Sequence, residues 1–170
     1  MPVNIDGFKG GDRTNIELPQ VQRDFLKALH DAGKTVVYVN CSGSAIALEP
    51  ETQTCDAILQ AWYAGQEGGT AVADVLFGKV NPSGKLPVTF YKNTAQLPDY
   101  ESYSMKGRTY RYFSDPQFAF GYGLSYTTYQ YGKASVDIAG RKVNLHIPLQ
   151  NTGKKAGEEI VEVYIKKTND

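Results

Sequence analysis

Trp62-Tyr63-Ala64-Gly65-Gln66-Glu67-Gly68-Gly69-Thr70-Ala71-Val72-Ala73-Asp74-Val75-Leu76-Phe77-Gly78 is the stretch that decides how this chain folds. An apolar strand, Ala57 to Trp62, runs into a polar turn rich in glycine. The turn opens a helix, and Gly78 closes it in the place glycine takes after a last helical turn. Asn81-Pro82-Ser83-Gly84-Lys85-Leu86-Pro87-Val88-Thr89-Phe90 follows at once. Upstream, Thr35-Val36-Val37-Tyr38-Val39-Asn40 is a β-branched run that is apolar on both faces, the pattern of a central parallel strand. Before it, Pro19 falls in the first turn of a helix, where proline is tolerated. Val21, Phe25, Leu29 and Ala32 form that helix's apolar stripe, and Gly33 ends it. Helix, strand, strand, helix, strand in this order is an α/β pattern with a mostly parallel sheet and right-handed crossovers.

Downstream the character changes twice. From Lys92 to Phe120 the chain is polar, rich in tyrosine and without a period; a loop that long is usually functional or covered by a partner. After Gly121-Tyr122-Gly123 the period becomes two. Ala134, Val136 and Ile138 alternate with polar residues, as do Val143, Leu145, Ile147 and Leu149, and then Val161, Val163 and Ile165. Ala139-Gly140-Arg141 and Asn151-Thr152-Gly153 are the turns between them. Three strands are too few to close an antiparallel β-sandwich, so this part reads as incomplete. The expected organisation is α/β over residues 1–120 and strands of a β-sandwich over residues 121–170. Residues 1–17 carry Gly7, Gly10 and Gly11 and are expected to be irregular.

Composition limits the function classes. Eighteen basic and eighteen acidic residues leave no net charge, so neither nucleic acid nor anionic lipid is favoured as a partner. No apolar run approaches the ~20 residues that a membrane helix needs. The N-terminus has no charged-then-apolar signal pattern. Two cysteines, Cys41 and Cys55, make no disulfide framework and read as small, buried, reduced thiols, although a bridge is possible. With two histidines and no Cys-x-x-Cys, no metal site is expected. Gly65-Gln66-Glu67-Gly68-Gly69 lacks the Gly-x-Gly-x-x-Gly spacing, which disfavours a nucleotide-binding domain, and no cofactor is expected.

Four segments, in order, resemble glycoside hydrolase family 3, the β-glucosidases and β-xylosidases. Gly10-Gly11-Asp12-Arg13-Thr14-Asn15-Ile16-Glu17-Leu18-Pro19 is similar to the family's Gly-Asp-Arg entry to a helix. The Trp62–Gly78 and Asn81–Phe90 segments come next. Phe120-Gly121-Tyr122-Gly123-Leu124-Ser125-Tyr126-Thr127 resembles the family's bridge into a fibronectin type III-like domain, whose early strands Asn151-Thr152-Gly153 and Ala156-Gly157-Glu158-Glu159 also resemble. The resemblance implies a C-terminal α/β domain followed by the start of that second domain.

It also implies a mechanism. Family 3 enzymes of this kind hold the sugar between this domain and an N-terminal barrel. The barrel carries an aspartate nucleophile, and a glutamate acid/base lies a few residues before the Asp-Arg pair. Retaining hydrolysis needs both carboxyl groups, roughly 5–5.5 Å apart. This chain has no barrel and no glutamate before Asp12, only Asp6, which reads as a solvated turn residue. The glutamate is expected upstream of Met1. No catalytic residue is therefore assigned within the chain, which is expected to be inactive alone.

The loop-positioning or substrate-facing candidates are Asp12, Arg13, Trp62, Glu67, Arg108, Tyr110 and Arg111. Asp12 and Arg13 could fix the acid/base loop by a charge-assisted hydrogen bond, or form a surface ion pair. Trp62 ends a strand where ligands bind open α/β sheets, or packs in the core. Glu67 reads as a helix cap in preference to a sugar contact. Arg108, Tyr110, Arg111 and Tyr112 form a basic-aromatic loop of the kind the family places near the substrate entrance; nucleic-acid stacking is the rival reading.

The expected partners are a β-linked glucoside or xyloside oligosaccharide, the barrel domain, and further copies of the chain meeting through residues 128–166. The parent protein would be periplasmic or secreted in a bacterium. A non-catalytic carbohydrate-binding or interaction module is the alternative.

Overall fold

The computed structural model of the protein describes residues 15–166. The chain forms two compact units. The first takes the chain as far as Gly69 and again Leu86–Tyr122; the second takes Thr70–Lys85 and everything from Gly123.

In the first unit, helix α1 (Gln20–Asp31) starts one residue after Pro19, which is its N-cap. It ends as the sequence indicates. The Lys34 amide donates to the Leu29 carbonyl and the Gly33 amide to that of His30, a paired closure that needs a left-handed residue, here Gly33 at φ +68°. The buried face is not the expected stripe. Leu26 is buried and Leu29 half-buried, whereas Val21 and Phe25 are 74% and 64% exposed. The helix turns Leu26, one step round from Phe25, onto the cluster of Leu18, Val36, Ile46 and Leu48. The apolar row Val21–Phe25 has no cover among the described residues.

Strand β1 (Val37–Asn40) pairs in parallel with β2 (Ala57–Gln60), Val37 opposite Ala57 and Asn40 opposite Gln60. Their starts are stitched by Asp56, whose carboxylate accepts from the Val36 amide at 2.7 Å while its own amide donates to the Val36 carbonyl. The parallel pairing agrees with the sequence pattern, but β1 is not central. Each strand has one neighbour among the described residues, and Val37 is 47% exposed. Between the strands lies one helical turn, α2 (Glu51–Thr54). The apolar run Ala57–Trp62 stops being a strand at Gln60, because Trp62 takes a left-handed backbone, φ +57°.

The aperiodic stretch from Lys92 to Phe120 is ordered by ring pairs, not by repeating structure. It holds a 3₁₀ turn (Thr94–Gln96) and one short helix, α4 (Thr109–Tyr112). Phe90 pairs with Phe118, Phe118 with Tyr122, Tyr91 with Phe113 and Tyr110 with Phe120, at centroid separations of 4.7–6.2 Å. Backbone bonds between Phe90 and Phe118, and between Leu86 and Tyr122, close the segment.

Helix α3 (Gly68–Leu76) is closed at Gly78, as expected. From Thr70 onward it belongs to the second unit. That unit has two antiparallel ladders: β3 (Tyr129–Tyr131) with β6 (Leu149–Asn151), and the hairpin β4 (Ser135–Ala139) with β5 (Lys142–His146). Gly140, at φ +63°, opens the hairpin's two-residue turn. The third alternating set, Val161, Val163 and Ile165, forms no strand. A strand needs a neighbour for its amides, and no described segment supplies one.

Candidate functional site

The carboxyl ends of β1 and β2 gather one cluster of polar side chains. Asn40 and Gln60 are register partners, so both side chains reach the same end of the sheet. Asn40 is 3% exposed, and its side chain is fully engaged. Its Nδ2 donates to Gln60 Oε1 at 2.6 Å and to Ser42 Oγ at 3.0 Å, and its Oδ1 accepts from the Tyr38 hydroxyl at 3.1 Å. Ser42 Oγ donates in turn to the Ser44 carbonyl. Burial raises the Tyr38 hydroxyl above its ordinary pKa, reinforced by the negative Glu51, so Tyr38 remains a neutral donor.

Trp62 and Tyr63 follow directly. Trp62 is half-buried and meets the buried ring of Phe90 edge-on, centroids 6.0 Å apart at 75°. Its left-handed backbone costs a bulky residue about 1–3 kcal/mol. Among the described residues Thr109 is the other non-glycine residue so strained, at the start of α4.

The remaining candidates lie apart in their bonding. Arg108 is a loop staple: its guanidinium donates to the carbonyls of Asp99, Ser102 and Ser104 at 2.9–3.1 Å. Tyr110 stacks on Phe120, and the Arg111 guanidinium lies 5.4 Å from the centre of the Tyr112 ring. Glu67 is exposed and immediately precedes α3. Asp6, Asp12 and Arg13 lie outside the described residues. Cys41 and Cys55 are both free; Cys41 is exposed, against the expectation of burial, and burial raises the pKa of the half-buried Cys55 thiol.

Two constellations were not visible in the sequence. Glu17 accepts from the Thr94 amide and hydroxyl at 2.8 and 2.6 Å, and that hydroxyl also accepts from the Ile16 amide at 3.0 Å. Burial works to raise the Glu17 carboxyl, but the Thr94 hydrogen bonds outweigh it and hold the group below its ordinary value. Arg23 Nε lies 3.0 Å from a carboxylate oxygen of Glu51, which is 1% exposed. Arg23 and Glu17 also line an open cleft of about 610 Å³ with Asn15, Gln20 and Ile46. Residues 77 and 28 positions apart in a chain announce no contact by spacing, and only the fold joins them.

Residues 3–126 match the model of the glycosyl hydrolase family 3 C-terminal domain. The chain belongs to glycosyl hydrolase family 3. Among its family 3 relatives is a xylan 1,4-β-xylosidase of Xylanibacter ruminicola, 70% identical over the whole of this chain and 20% of that protein. A periplasmic β-glucosidase of Salmonella typhimurium is 42% identical over 93% of this chain and 23% of its own length. The solved β-glucosidase 3B of Thermotoga neapolitana in complex with glucose superposes with a TM-score of 0.72, at 32% identity, over 88% of this chain and 23% of that one. This family 3 chain thus spans about a fifth of the length of the relatives it matches. No helix among its described residues is long and apolar enough to cross a membrane.

Proposed function

We propose that this chain is the C-terminal α/β part of a retaining β-glycosidase that hydrolyses β-xylosides or β-glucosides. The observation that carries the reading is 70% identity, end to end, with a protein named xylan 1,4-β-xylosidase. In this reading residues 1–120 are the α/β domain and residues 121–170 begin a fibronectin type III-like sandwich. Asp12 and Arg13 steady the acid/base loop. Trp62, Glu67, Arg108, Tyr110 and Arg111 line or brace the approach to the sugar. The nucleophile comes from a barrel domain, and the parent protein works in the periplasm or outside a bacterial cell, in line with the relative named periplasmic. Uncovered apolar residues such as Val136, Ile138 and Val143 favour self-association of the isolated chain.

The test is hydrolysis of nitrophenyl β-xyloside and β-glucoside. The chain alone is expected to stay at background, since one acid/base group by itself contributes about 10²–10⁴-fold. The chain within its parent, barrel included, is expected to turn over one of the two. A parent inactive on both sinks the proposal, as does turnover by the isolated chain that a substitution inside it abolishes.

A further inference from the structure

We propose that Tyr63, with Gln60 beside it, is a stacking platform for a pyranose ring of the β-linked saccharide, a binding role distinct from the chemistry. The proposal rests on the glycosidase reading for the class of ligand, and on geometry for the place.

The left-handed turn at Trp62 throws Tyr63 back over the loop that follows β1. One face of the Tyr63 ring, on its Cε2 side, lies over Gly43: a Cβ there would meet Cε2 at 2.3 Å, Cζ at 2.8 Å and Cδ2 at 3.0 Å. Glycine is thus what lets the ring lie down. Tyr63 remains 82% exposed, so a ring seated on one face at its Cε2 side keeps most of its surface open. A large aromatic ring held in this way, by a strained backbone, is a surface kept free at a cost. Sugars with equatorial hydroxyls present a flat face of C–H groups that suits an aromatic ring, and a rim of hydroxyls that needs polar partners.

Gln60 supplies such a partner. Its Oε1 is fixed by Asn40, which aims its Nε2 at the Ser42 loop. There Nε2 reaches only the Ser42 carbonyl and hydroxyl, each at 3.4 Å, the outer limit of a hydrogen bond. A ligand hydroxyl can take that donor with little loss. The location, outside the carboxyl ends of two parallel strands, is where open α/β sheets receive ligands.

Trp62 is the sole tryptophan, so its emission reports this site without a label. Xylotriose or cellotriose titrated into the full 170-residue chain should change Trp62 emission saturably, in the millimolar range. Tyr63→Ala should weaken the binding at least about threefold, the worth of one aromatic contact. Tyr63→Phe, which keeps the ring, should bind as the parent does. Gly43→Ala, which displaces the ring without removing it, should weaken binding as Tyr63→Ala does.

Absence of any saturable change overturns the platform, as does unaltered binding by Tyr63→Ala. Equal loss in Tyr63→Phe assigns the effect to the hydroxyl and also overturns stacking. A dimer in light scattering that Tyr63→Ala dissociates, with no saccharide response, makes the face a protein interface instead. None of these readouts uses turnover. Failure here therefore leaves the glycosidase reading standing, and a parent inactive on both glycosides does not by itself erase saccharide binding.

Discussion

The two units of this chain are held together by different forces. Every buried apolar residue among those described, from Leu18 to Phe90, belongs to the first unit. Among the described residues of the second unit the one that is buried is polar, Thr127, whose hydroxyl donates to Asn151 at 2.7 Å. There the order comes from side chains reaching backbone. Asn81 Oδ1 accepts from the Tyr126 amide and the Ser125 hydroxyl, while its Nδ2 donates to the Ala156 carbonyl. Lys155 caps the Gly78 carbonyl, and the Tyr126 hydroxyl donates to that of Val75. Meanwhile Val136, Ile138 and Val143 are 60–71% exposed. A hydrophobic core tolerates many sequences of the right volume, whereas a polar stitch works with few. The two units should therefore respond to substitution in opposite ways.

The largest contrast should come from matched truncations. Phe90→Ala removes a side chain that is 1% exposed and should cost about 4 kcal/mol, read from denaturant unfolding of the first unit. Ile138→Ala, at 71% exposure, should stay within about 0.5 kcal/mol. If both cost the same, the second unit has a hidden core and the comparison fails.

Asn81→Ala should cost about 1–3 kcal/mol, since it strands three hydrogen-bonding groups. Amide exchange should quicken at Tyr126 and along β3 and β6 while β1 and β2 keep their protection. Uniform loss across both units would mean that they unfold as one.

The smallest effect concerns acid. The Glu17 carboxyl is held below its ordinary value in the folded chain, so below that ordinary value the unfolded chain takes the proton first. The stability this group lends is present above the ordinary glutamate value and is lost as pH falls through the depressed one. Thr94→Val removes the hydroxyl donor and should move the acid-unfolding midpoint to higher pH. No movement would mean that the Thr94 amide alone sets the shift.

Periodic parts of this fold were legible in the sequence, and parts built on long-range polar contacts were not. Gly33, Gly78 and Gly140 marked their turns because each requirement is local. The Val21–Phe25 stripe was misjudged because period tells which residues share a face, not which face meets the core. Asn81-Pro82-Ser83-Gly84-Lys85 and Gly121-Tyr122-Gly123-Leu124-Ser125 were recognisable as motifs long before a reason for their company appeared. Asn81 grips Ser125 and Tyr126, and Lys85 donates to the Gly123 carbonyl at 2.7 Å, so each half is constrained by the other. At the candidate site Trp62 drew notice from its place in an apolar run, although the strand itself stops at Gln60. Asn40, Ser42, Gly43, Gln60 and Tyr63 did not, because their association depends on the register of β1 against β2.

The hairpin turn at Gly140 has a consequence for how this chain can vary. A Cβ built on Gly140 meets nothing within 4 Å, and all five residues of each flanking strand are exposed. Added residues there would face solvent, and lengthening such a loop is entropically mild, each doubling costing about 0.6 kcal/mol. The same tip offers a protease an exposed bond and an engineer a place to insert a tag or open new termini. Between two segments whose spacing is fixed by polar grips, Gly140 is a natural seam where the gene can grow.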